Sequence, residues 1–537
     1  MTILPAALAE RVRWARRSRR RPPGVIWVPA ALVALAMLLP LAYLFLRSLE
    51  DGWSGVVEVV SDGETFAVLG RSVLLALVVT GASVAVSVPM AWLTTRTDLP
   101  GRRAWAVLAA LPLVVPSYVG GFVLVSALGP RGMLQGALES LGVERLPDIY
   151  GLPGAVLALT LFSYPYVFLT VRAALRGMDP ALEEAARSLG SGSWTTFFRV
   201  TLPQMRPAIV AGSLLVALYA LSDFGAVSLL QYDSFSREIY IQYRSAFDRT
   251  PAAILALMLV ALTAAILLLE GGTRGRGRYD QRSAARPGTL VALGRWRWPA
   301  LVFCGVVVVA ALAAPVGVLT FWLVRGLAEG EALRPLWNAA WSSVYASGLA
   351  AGVVAIAALP VAVLAVRFPG RISRFVERMT YLGYALPGIV LALSLVFFGA
   401  NYAPWAYQTL GMLVFAYAVH FLPQAVGATR AALLQVSPSV EEAARGLGRG
   451  PAGVLATVTA PLAGSGILAG AALVFLTTMK ELPATLLLSP TGFETLATRV
   501  WGATTDAFFA RAAAPALLLI ALSAVPMYLL VIRERAK

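Results

Sequence analysis

A chain of 537 residues that is 58% hydrophobic and only 13% charged, with mean hydropathy +0.75, is excluded from the soluble globular class. Its net charge of +16 raises nucleic-acid binding as a rival, but the basic residues sit beside hydrophobic runs and no nucleic-acid module accompanies them, so no nucleic-acid partner is expected. Cys304 is the single cysteine, which excludes an internal disulfide and any Cys-based metal cluster and reads as packing.

Apolar runs of about 20 residues, the length that crosses a bilayer, recur along the chain and predict an all-α integral membrane protein with about twelve transmembrane helices. A basic tail, 1–24, precedes the first span at 25–46. That span is long enough to cross and lacks a small-residue cleavage site, so it reads as an uncleaved helix rather than a leader. Spans follow at 72–94, 104–128, 151–170, 207–230 and 251–269, closing a first domain at 25–270. The basic, glycine-containing stretch 271–297 is a linker. A second domain, 298–532, holds spans at 299–324, 342–366, 380–399, 404–424, 464–488 and 512–532, and a tail, 533–537, ends the chain. Short loops rich in Arg and Lys stay cytoplasmic. Most of the 44 basic residues fall on one side if both termini are inside, including RVRWARRSRRR at 11–21, TRGRGR at 273–278 and RERAK at the end.

Between the fourth and fifth spans of each half, on the predicted cytoplasmic side, a polar segment recurs 258 positions apart: EEAARSLGSGSWTTFFRVTLPQMRPAI at 183–209 and EEAARGLGRGPAGVLATVTAPLAGSGI at 441–467. Matches at that offset continue through RAAL at 172 and 430, Pro180 and Pro438, Asp223 and Glu481, and Phe235 and Phe493. The chain is a tandem duplication, and six spans per half place the two copies in parallel orientation. Each polar segment encodes a short helix. Asp179 and Ser437 suit the N-cap, Pro180 and Pro438 the first turn, and Gly190 and Gly448 the exit. Leu182, Ala185, Ala186 and Leu189 form one apolar stripe, as do Val440, Ala443, Ala444 and Leu447; opposite them Glu183 with Arg187, and Glu441 with Arg445, are favourable i, i+4 pairs. A helix of about ten residues is marginal alone. It either lies on the membrane interface or inserts as a knob into a groove on a partner.

Ionisable groups inside spans cost about 3 kcal/mol each and mark function by default. Asp223, in LSDFGAVSLL, and Glu481, in MKELPATLLL, each stand two positions before a helix-breaking Gly or Pro, and paired carboxylates at interrupted helices build transport paths. In the other reading Lys480 neutralises Glu481 and Asp223 caps a broken helix, and neither touches cargo. His420, the only histidine, reads as packing. A P-loop needs a lysine after a glycine-rich turn; the only lysines, Lys480 and Lys537, follow no such turn, so this chain has no ATPase site of its own. No cluster of catalytic residues supports a membrane-embedded enzyme.

The first polar segment resembles the EAA loop of ATP-binding-cassette importer permeases: Glu184, Ala185, Ala186, then Gly190, then Val200, Thr201, Leu202 and Pro203. The second resembles it through Glu442, Ala443, Ala444, Gly448 and Pro461. It departs from the pattern at Ala460, where the family usually has Leu, and both copies have Val for the usual Ile. The resemblance implies that each loop, with Glu183, Arg187, Glu441 and Arg445 beside the motif, couples to one of two copies of a separate ATPase subunit. ATP and Mg would lie on that subunit and no cofactor on this chain. Over the whole chain, and most closely at 221–243 and 479–501, the sequence resembles fused ferric-iron permeases. That implies a multi-pass protein of the bacterial inner membrane with lipid around it, fed Fe(III) by an extracytoplasmic binding protein. Fe(III) is a hard cation suited to carboxylate and phenolate oxygens, which singles out Asp223, Glu481, Tyr232, Tyr240 and Tyr243 along the path, with Lys480 beside Glu481; tyrosines there are also ordinary aromatic-belt residues. Similar permeases carry thiamine, phosphonates and other small solutes. A proton-coupled secondary transporter also has six plus six spans, but would carry several buried charges and no EAA loop.

Overall fold

In a bilayer every backbone N–H and C=O must be satisfied within the protein, which leaves helices as the economical solution for long apolar runs. The computed structural model describes residues 22–130, 132–139, 142, 146–179, 181–245, 249–273, 290–330 and 336–535. The basic tail up to residue 21, Pro180 and linker positions 274–289 lie outside the described residues. Among those described, every regular element is helical except one isolated parallel bridge between Thr97 and Val291.

Among the described residues nine helices are long and apolar enough to cross a membrane, and three further apolar pairs are bent, giving up to twelve spans. The principal helices are α1 (Gly24–Ser48), α2 (Gly63–Arg96), α3 (Ser117–Leu128), α4 (Leu152–Gly177), α5 (Ala181–Ser188), α6 (Leu202–Ser222), α7 (Gly225–Leu229), α8 (Phe235–Ser245) and α9 (Thr250–Thr273). After the linker come α10 (Arg297–Val308), α11 (Ala314–Ala328), α12 (Leu336–Arg367), α13 (Gly388–Tyr402), α14 (Leu410–Gln435), α15 (Pro438–Gly446), α16 (Gly464–Met479), α17 (Pro483–Leu488), α18 (Leu496–Thr505) and α19 (Phe509–Arg535).

Two expected spans, 104–128 and 380–399, are broken, and a third bend falls just before 464–488. The segment Arg102–Val114 meets the helix from Ser117 at 94°, and Arg371–Ala385 meets α13 at 104°. The cause is Pro116 and Pro387: a residue before proline is pushed out of the helical region, and Val115 and Leu386 have ψ of 120° and 104°. Pro451–Leu462 meets α16 at 73°. The expected span 207–230 is instead a helix that runs from Trp194 to Ser222 and stops before α7, and 404–424 shifts to Leu410–Gln435.

The chain divides into two compact units, residues 51–336 with 499–524, and residues 1–50 with 337–498 and 525–537. Each contains the first span of the opposite sequence half. In the second unit α1 packs on α13 and on Arg371–Thr380. There the Ser394 hydroxyl donates to the Pro40 carbonyl at 2.6 Å, the Asn401 amide donates to the Tyr43 hydroxyl at 3.2 Å, and the Arg47 guanidinium lies 5.4 Å from the Phe397 ring centroid. In the first unit α11 packs on α3, and Trp322 meets Phe509 at 5.4 Å between ring centroids.

Candidate functional site

Helix α5 begins at Asp179, whose Oδ1 accepts from the Ala181 amide at 3.0 Å, and α15 at Ser437, whose hydroxyl accepts from the Ser439 amide. Both end in the same backbone motif. The Ser191 amide donates to the Ala186 carbonyl and Gly190 to Arg187; Arg449 donates to Ala444 and Gly448 to Arg445. This double closure requires a left-handed residue in the penultimate place, and Gly190 and Gly448 supply it at φ 85° and 84°.

The side-chain arrangement places the carboxylates inward and the apolar stripe largely outward. Glu183 and Glu441 are 5% and 3% exposed, whereas Leu189 and Leu447 are 86% and 85% exposed, and Leu182 and Val440 are exposed with them. Ala185, Ala443, Glu184 and Glu442 share the open side; Ala186 is half-buried and Ala444 buried. The protein itself leaves the stripe uncovered, open to lipid or to a partner. The carboxylates turn inward because an arginine meets each one. At the end of α2, Arg96 Nε lies 3.9 Å from Glu183 and its Nη2 donates to the Met178 carbonyl at 3.2 Å. At the end of α12, Arg367 Nε donates to Glu441 at 3.0 Å and its Nη2 to the Val436 carbonyl at 2.9 Å. The expected pairs within each helix are also present, Arg187 to Glu183 at 3.8 Å and Arg445 to Glu441 at 3.4 Å. Thr201 donates to Glu183 at 3.0 Å, tying the far end of the first loop to the same carboxylate.

These arginines escape a search at the 258 offset because Arg96 and Arg367 stand 271 positions apart, as do Pro116 and Pro387, and Ser72 and Ser343. The signal that finds them is the sequence Pro-Gly-Arg just beyond each, at 100–102 and 369–371. Beyond α5 and α15 the chain widens into a π-turn, Phe197–Thr201 and Leu455–Thr459. Pro203 and Pro461 follow in the next turn. A helical proline clashes with the carbonyl four residues earlier, and a widened turn relieves that clash.

Asp223 and Glu481 occupy equivalent elbows, each 7% exposed. Asp223 Oδ1 accepts from the amides of Ala226 and Val227 at 3.0 and 3.3 Å, capping α7. Glu481 accepts from the amides of Ala484 and Thr485, both at 3.1 Å, and from the Thr485 hydroxyl, capping α17. A Cβ on Gly388 would lie 2.9 Å from Glu481 Oε1, so α13 begins with the one residue that admits the carboxylate. Lys480 terminates α16, half-buried. Tyr232 is buried and donates to the Arg71 carbonyl at 2.8 Å. Tyr240 lies 4.7 Å from the Phe224 ring and accepts from Arg244 at 3.1 Å, and the Tyr243 ring lies under Arg249. Among the described residues no three of His, Cys, Asp and Glu converge as metal ligands.

A helical membrane chain that carries the same clasped loop and the same capped elbow in both of its repeats has the build of a duplicated transport permease. Residues 83–271 and 356–536 each match the family described as binding-protein-dependent transport system inner membrane component. The chain belongs to that family, the permeases of ATP-binding-cassette importers. It is 34% identical over 516 residues to the Fe(3+)-transport system permease protein FbpB 2 of Haemophilus influenzae, covering 95% of this chain and 98% of that one. It is 39% identical over 166 residues to the molybdenum transport system permease protein ModB of Escherichia coli, covering 29% of this chain and 69% of that one. Among solved structures, a bacterial ABC transporter involved in the import of the acidic polysaccharide alginate is similar at TM-score 0.34 and 17% identity, over 50% of this chain and 93% of that chain.

Proposed function

We infer that the chain forms the translocation path of an importer for ferric iron and that α5 and α15 couple it to two copies of a separate ATPase subunit, on which ATP and Mg reside. The observation that carries the coupling is the outward apolar face of each helix, held by an inward Arg–Glu clasp. Glu184 and Glu442, exposed beside Leu189 and Leu447, are placed to meet basic groups on that subunit. Both termini and both loops are cytoplasmic on the distribution of arginines. The binding protein delivers cargo from the opposite side.

Ferric iron is favoured because the relative matched from end to end carries that name, whereas the molybdenum relative matches under a third of the chain. Asp223 and Glu481 shape the path by capping the elbows, with Tyr232, Tyr240 and Lys480 nearby in sequence. Replacing Glu184 or Gly190 should uncouple uptake from ATP hydrolysis while the protein stays in the membrane. Wild-type uptake in those variants, with the ATPase subunit still bound, contradicts the coupling role. The cargo is tested separately by identifying the ligand held by the cognate binding protein when isolated; thiamine or a phosphonate there would reassign it.

A further inference from the structure

We propose that a groove on the unit containing α2 holds an acyl chain of an anionic phospholipid, with the lipid phosphate at Arg295 and Arg297. The cavity has a volume of about 740 Å³ and is lined only by apolar and aromatic side chains, within the range of roughly 300–1,000 Å³ typical of ligand sites. One wall is α2 from Val84 to Leu93. At 1.5 Å per residue that wall is ~14 Å long, about half the ~30 Å hydrocarbon core. A wall of that length matches the thickness of one leaflet.

Its lining includes three indoles, Trp92, Trp194 and Trp296, contributed by three separate segments. Trp194 and Trp296 are more than half exposed, the position aromatic side chains take at a membrane interface. The stretches 193–209 and 290–303 hold Arg199, Arg206, Arg295 and Arg297 and no acidic residue. Arg199, Arg295 and Arg297 are exposed and none is ion-paired among the described residues. Basic residues beside a membrane attract anionic headgroups, so the charge selects the lipid and the apolar wall takes its chain. The wall from 290–303 is fixed to the end of α2 and the residues after it: the Val291 amide donates to the Arg96 carbonyl at 2.9 Å, the Asp98 amide to the Val291 carbonyl at 3.2 Å and the Leu293 amide to Asp98 at 2.9 Å. The site thus adjoins the residue that clasps α5, and it rests on membrane insertion rather than on the identity of the cargo.

The test is native mass spectrometry of the full chain extracted from vesicles of equal phosphatidylglycerol and phosphatidylethanolamine. One phosphatidylglycerol retained per chain in clear excess is the expected result. The exposed double variant Arg295→Gln/Arg297→Gln should lose that preference by several-fold without losing binding of the ATPase subunit, and Ala85→Phe, which fills the groove, should lower retention of both lipids. Equal retention of the two lipids by the wild-type chain, or a preference unchanged in the arginine variant, overturns the proposal. So does release of the lipid when the ATPase subunit binds, since the groove would then be a protein contact.

Discussion

At the scale of single residues the two clasps make the sharpest demands. Removing one partner of a buried ion pair strands the other charge, at about 3–5 kcal/mol. Arg96 and Glu183 have side chains 10% and 7% exposed, Arg367 and Glu441 9% and 4%. Arg367→Ala is expected to destabilise by ~3 kcal/mol, the low end of that range because Arg445 still faces Glu441. Arg367→Ala with Glu441→Ala should recover most of the loss. Thermal unfolding of the purified chain measures both, and equal losses in the single and double variants contradict the clasp. Gly190→Ala and Gly448→Ala meet no neighbour within 4 Å of the added carbon. Their cost is therefore the left-handed backbone alone, about 1–2 kcal/mol, to be read in the same assay.

At the scale of elements, the elbows separate a capping carboxylate from a cargo ligand. Asp223→Asn keeps the Oδ1 acceptor that caps α7 and is expected to retain uptake. Asp223→Ala removes the cap at about 1 kcal/mol and is expected to impair it. Loss of uptake in Asp223→Asn, with normal stability, would show that the charge itself meets the cargo. The helical nature of α5 and α15, their caps and their glycine exits were legible because each depends on neighbours within one turn. The face they present was not, since it is decided by Arg367, 74 residues away from Glu441 along the chain, at a different repeat offset from the loops. The breaks at Pro116 and Pro387 follow from a local rule, yet hydropathy averaged over a span smooths over them.

For the whole molecule, the duplication and the helical, membrane-spanning class were readable from periodicity and hydropathy, because a bilayer fixes span length, with the expected twelve spans matching the upper count among the described residues. The packing of α1 against α13 was not: hydropathy marks the first span as apolar without saying what it meets, and the contacts of Pro40, Tyr43 and Arg47 reveal its place. Co-expressed fragments 1–280 and 281–537, carrying Tyr43→Cys and Asn401→Cys in a Cys304→Ser background, are expected to be joined by a short bismaleimide. Failure to join, with both fragments in the membrane, contradicts that packing. The exposed apolar faces of α5 and α15 carry the proposed link to an ATPase. Leu189→Cys and Leu447→Cys, each in the Cys304→Ser chain with the ATPase subunit bound, should each cross-link to that subunit, while Glu183→Cys should not. Cross-linking from neither leucine position, or labelling of both by an impermeant maleimide outside intact cells, would contradict it.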